Sequence, residues 1–140
     1  MVDNFAVTAG SGTTVATDDV GGVHCQKIKR MRGTDGKFTG DVLYAAIDCS
    51  SSGDNTIVAS DATNKIRVLG YVITASAAVN VRWKSGATNK SGLLYLDTKG
   101  GVSHHTEDGC METVNSADAL ILNLSSAVTV GGHIAYVKEA

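Results

Sequence analysis

The chain has 140 residues, a formal net charge of -2 at pH 7 and no proline. That length is one domain, able to bury about 68–70% of the surface its unfolded form exposes, so it needs no disulfide or metal to fold. The charge lacks the strongly basic balance of a duplex-binding domain, and no apolar run approaches about 18 residues, so neither direct nucleic-acid binding nor a membrane span is expected.

In chain order, the opening segment MVDNFAVTAGSG carries an acid at position 3 and no long apolar stretch, unlike a signal peptide. A soluble protein made in a cytoplasm is expected. Residues 1–20 read as an extended arm on a single domain spanning 1–140. Turn signals follow at GSG 10–12, GG 21–22 and GTDG 33–36. AGSGTT and RGTDGKFTG resemble phosphate loops, but a Walker loop needs GxxxxGK followed by Ser or Thr at a helix start. Here Gly33, Gly36 and Lys37 have the wrong spacing and Phe38 follows the lysine. Between these turns QKIKRMR gathers Lys27, Lys29, Arg30 and Arg32. The cluster reads as a solvated strand face, as a contact for an acidic protein surface or as a phosphate contact. It has no interleaved aromatic on which bases would stack.

TGDVLYAAI, Thr39–Ile47, is the one segment with a helical reading, and it reads equally as a strand or an irregular connection. CSSSGDN is a loop and NTIVAS a short strand. KIRVLGYVITAS is a long strand rich in Val, Ile and Tyr, with Gly70 marking a bulge or a close backbone approach. In VNVRWKS, Val79, Val81 and Trp83 alternate with polar residues, which puts Trp83 in the core. SGATNKSG and KGG are turns. ALILNLS places Leu120, Leu122 and Leu124 on one face; GG 131–132 turns again; HIAYVKE is apolar on both faces. Short strands separated by turns about every ten residues predict an all-β, antiparallel β-sandwich, jelly-roll-like and single-domain.

SHHTEDGC, Ser103–Cys110, is the densest group of reactive side chains. A zinc protease needs HExxH on a helix, whereas His104 and His105 are adjacent and point apart on a strand. A site built from His105, Glu107 and Cys110 has no ligand spacing of its own. The stretch reads as an exposed polar loop at one end of the sandwich, where its histidines would make a contact with a neighbouring subunit pH-sensitive. Cys25, Cys49 and Cys110 are odd in number and far apart, so they read as reduced, mostly buried thiols. The sequons at Asn89 and Asn123 carry no weight without a secretion signal. No GxSxG elbow occurs. No enzyme, metal or cofactor is expected.

VATDDVGGVHCQKIK, the run NTIVASDATNKIRVLGYVITASAAVNVRWKSGATNKSGLLYLDTKGGV and the closing ALILNLSSAVTVGGHIAYVKE together resemble small structural proteins of tailed phages. In size and build the chain is similar to the cement or decoration proteins that clamp tailed-phage heads, those of Bordetella phages among them. The resemblance implies a virion protein on the outer capsid surface. It implies two partners, the major capsid protein and further copies of itself, with a homodimer favoured over a trimer. No catalytic residue carries over. Lys27, Lys29, Arg30, Arg32, His104 and His105 are the candidate capsid or subunit contacts. A tail, neck or fibre component binding a host surface is the alternative, and a small metal-dependent enzyme a remote one.

Overall fold

Strand formation follows the alternation of side chains. The computed structural model describes residues 41–107 and 109–139, together with the backbone of two earlier strands. The chain divides into two units, Met1–Arg30 and Met31–Ala140. The first contains β1 (Thr17–Val20) and β2 (Val23–Gln26), an antiparallel hairpin in which Val20 faces Val23. The basic residues Lys27, Lys29, Arg30 and Arg32 lie outside the described residues, as does most of the expected arm.

Among its described residues the second unit contains ten strands: β3 (Leu43–Cys49), β4 (Gly53–Val58), β5 (Lys65–Ala75), β6 (Val79–Ser85), β7 (Thr88–Asn89), β8 (Leu94–Leu96), β9 (Gly101–His105), β10 (Met111–Glu112), β11 (Leu120–Leu124) and β12 (Val130–Glu139). One sheet runs β3-β12-β5, with β9 and β10 in tandem along the far edge of β5. The other runs β4-β11-β6, with β7 and β8 in tandem along the far edge of β6. Every pairing is antiparallel. The chain passes from sheet to sheet at β3–β4, β4–β5, β5–β6, β8–β9, β10–β11 and β11–β12. With each tandem pair counted as one position, the two four-position sheets have the interleaved connectivity of a jelly roll.

The core lies between the sheets. Val79, Val81 and Trp83 of β6 and Leu120, Leu122 and Leu124 of β11 face Ile66, Val68 and Ile73 of β5, Ile134 of β12 and Ile47 of β3, all buried. Each such side chain stabilises the fold by about 1.5–3 kcal/mol over its exposed state. Trp83 is fully buried, with the Tyr71 ring tilted against it at 5.2 Å between centroids.

Of the segment with a helical reading, residues 43–47 lie in β3. Ala45, Ile47 and Cys49 point into the core at alternate positions, and β12 pairs along the whole strand, so tertiary pairing decides against helix. Gly70 has both expected features. Ala135 faces Gly70 and Tyr136 faces Val68, which leaves Leu69 as an extra residue at a bulge. A Cβ on Gly70 would also sit 2.9 Å from the His104 carbonyl oxygen and 2.9 Å from His105 Cδ2. The bulge gives HIAYVKE its two apolar faces: Leu69, Val137 and Ala135 form a second small cluster apart from the main core.

Two expectations are corrected. Gly131 and Gly132 are not a turn but lie inside β12, where Gly132 passes close to the Val72 carbonyl. Ser103, His104 and His105 are not loop but strand β9, because the long β5 needs a partner on its free edge and an edge strand tolerates exposed polar side chains.

Candidate functional site

The sheet register sorts the reactive residues by face. Directly opposed residues share a face, and successive residues alternate. Ser103, Val72, His133 and Ala46 form one row across β9-β5-β12-β3, and His105, Gly70, Ala135 and Tyr44 form the next. Both rows are on the outer face, because residues at the alternate positions, Ile73 of β5, Ile134 of β12 and Ile47 of β3, are buried in the core. His104 instead shares its position with Tyr71, and the two rings lie 6.2 Å apart. The adjacent histidines alternate in direction along the edge strand β9, yet both, with Tyr71, border one groove on this sheet.

The outer rows make a shallow groove of about 320 Å³. Gly70, Val72 and Ala135 lie at its centre, with Tyr44 at the β3 side and Ser103 and His105 at the β9 side; His133 also lines it. Tyr44 is 73% exposed. Among the described residues that line the groove, none is Asp, Glu, Lys or Arg. Sequence reading singled out His105 but missed Tyr44, His133 and Gly70 as its neighbours. Those four come together through register, which a single sequence does not display.

Thr106 and Cys110 of the same stretch hang on the β5 edge. Thr106 N donates to Leu69 O at 2.9 Å and Cys110 N to Val68 O at 2.8 Å. Burial pushes the Cys110 and Cys49 thiols up, with Asp48 adding to the effect at Cys49, which keeps both thiols protonated and poorly nucleophilic. Among the described residues no group of three or more His, Cys, Asp or Glu is placed to hold a metal ion, His105, Glu107 and Cys110 included.

Other polar constellations hold loops. The Ser85 hydroxyl donates to Asp118 Oδ2 at 2.7 Å and accepts from Val114 N at 2.8 Å, tying the β10–β11 loop to the end of β6. Asp61 accepts from Thr63 N, Thr63 Oγ1, Asn64 N and Lys138 Nζ, fixing the β4–β5 turn to β12. Asp54 bridges Lys84 and Asn123. These partners hold the three carboxyls below their ordinary range: Ser85 first for Asp118, the Thr63 backbone amide first for Asp61, and Lys84 first for Asp54. A carboxyl depressed in the fold stabilises it above the unfolded value, about 3.9 for Asp, and that stabilisation is lost as pH falls through the lowered folded value. The urea midpoint is therefore expected to drop below about pH 4. Asp61→Asn should show a smaller drop than the parent; an identical acid limb in the two proteins would contradict the assignment.

The chain matches no protein-family model, no curated protein and no solved structure. The fold and this outer-face geometry are accordingly the ground for any functional reading.

Proposed function

We propose that the protein is a structural virion protein, a cement or decoration protein that binds the outer surface of a major-capsid-protein shell and braces it against internal DNA pressure. The observation that carries the reading is the pair of edge strands. Leu43 and Tyr44 of β3 are exposed, as is Val42 just before it, and so are Tyr95 of β8 and Leu93 just before that strand. β3 pairs with β12 and β8 with β6, so among the described residues each borders an open edge of a rigid jelly roll. Exposed edges with apolar side chains are templates for pairing with another chain. A brace across subunit joints needs such edges on a stiff body, and many weak contacts on one shell reinforce one another. The partners are the capsid protein and further copies of the chain, with a closed dimer the default symmetry and a trimer the rival. The resemblance of the three quoted segments to tailed-phage structural proteins supports the same reading.

The test is to mix purified protein with undecorated heads. Saturable binding that raises the heat and pressure resistance of the heads is the expected result; failure to bind would sink the proposal. Lys29→Glu with Arg30→Glu should lower occupancy if the basic cluster faces the shell, and unchanged occupancy would assign it to solvent. The groove beside Tyr44 favours a second reading, a tail, neck or fibre component, which would bind host cells and leave heads bare.

A further inference from the structure

We propose that the outer-face groove beside Tyr44 is a binding site for a neutral saccharide ring. A sugar ring presents a face of C–H bonds and a rim of hydroxyls that both donate and accept hydrogen bonds. The groove offers the complement to each. Tyr44 supplies an exposed aromatic face, whose negative quadrupole attracts C–H groups. Ser103, His105 and His133 supply hydroxyl and imidazole groups able to pair with hydroxyls.

The centre of the groove is kept low by the backbone itself. A Cβ at Gly70 would meet the His104 carbonyl and the His105 ring at 2.9 Å each, so the position stays bare while the imidazole edge lies beside it. Ala135, opposite Gly70, adds one methyl. From β9 to β3 the register spans three strand spacings, about 14 Å at about 4.8 Å each. Between Tyr44 and His105 that leaves the width of a ring. The volume of about 320 Å³ is at the small end of ligand sites.

The absence of Asp, Glu, Lys and Arg among the described lining residues sets the class as uncharged. A carboxylate-bearing ligand would find no fixed cation there to pair with.

The experiment titrates ¹⁵N-labelled protein with the methyl glycosides of glucose, galactose, mannose and N-acetylglucosamine, and with glucuronate as the charged comparison. At least one neutral glycoside is expected to shift the amides of Gly70, Ala135 and His133, with saturation transfer from Tyr44 to the sugar. Tyr44→Ala should weaken that binding by about tenfold or more. Tyr95→Ala removes an equally exposed tyrosine from the other sheet, 76% accessible on β8, and should leave binding unchanged. No shift with any neutral glycoside, equal losses in the two variants, or tighter binding of glucuronate would each overturn the proposal. The titration involves no capsid, so its failure leaves head binding untouched, and failure to bind heads leaves the groove untouched.

Discussion

Trp83→Ala is expected to cost about 3–5 kcal/mol of stability, the range for removing a large aromatic from a core. Trp83 has no exposed surface, lies opposite Leu122 and is flanked along β6 by buried Val81 and Ser85. Tyr71 packs on it from the facing sheet. The hole left behind is therefore bordered by both sheets and cannot close without moving one of them. Domains of this kind have only about 5–15 kcal/mol in total, so the variant should be substantially unfolded at modest urea. The measurement is the far-UV circular dichroism midpoint, since the tryptophan signal is lost. Trp83→Phe should fall between variant and parent. A loss under about 1 kcal/mol would mean that the ring is not the centre of the core.

Gly132→Ala is expected to be of similar severity, through crowding instead of loss. A Cβ there would sit 1.9 Å from the Val72 carbonyl oxygen, 2.8 Å from its carbon and 3.1 Å from Ile73 Cα, with φ at +151°. All three atoms are backbone of the adjacent strand, so no side chain can turn aside. Overpacking costs about 1–3 kcal/mol and a strained backbone about 1–3 more. Gly131 supplies the comparison: its added Cβ would meet nothing nearer than the Ile47 carbonyl oxygen at 3.9 Å. Gly131→Ala should thus remain close to the parent in the same melt, and equal losses at the two glycines would refute the close approach at 132.

Much of the fold was legible in the sequence, because alternation reports burial directly. VNVRWKS matches β6 residue for residue, and the three leucines of ALILNLS are buried in β11 as their phase requires. Gly70 was legible as punctuation inside a strand. What misled was local signal overridden by pairing. Gly131-Gly132 has turn chemistry, yet it lies in β12 because the chain must pass hard against β5 there. SHHTEDGC has loop chemistry, yet its first three residues complete the edge of β5. The groove was the least legible feature. Tyr44, Gly70, His105 and His133 come from four different strands, and only the register between those strands makes them neighbours.

The interleaving of the sheets also sets an order in time. β11 and β12 follow all their sheet neighbours in chain order, yet β11 lies between β4 and β6 and β12 between β3 and β5. While the chain is being made, at about 5–20 residues per second, each sheet lacks its middle until those strands leave the ribosome. β3 and β4 must wait beside open gaps, exposed to stray pairing, and closure demands distant contacts of the kind that fold in milliseconds to seconds. The same arrangement slows the reverse journey. Unravelling requires a central strand to be withdrawn from both of its neighbours at once, so the finished molecule should endure by the slowness of its opening as much as by the depth of its free-energy well.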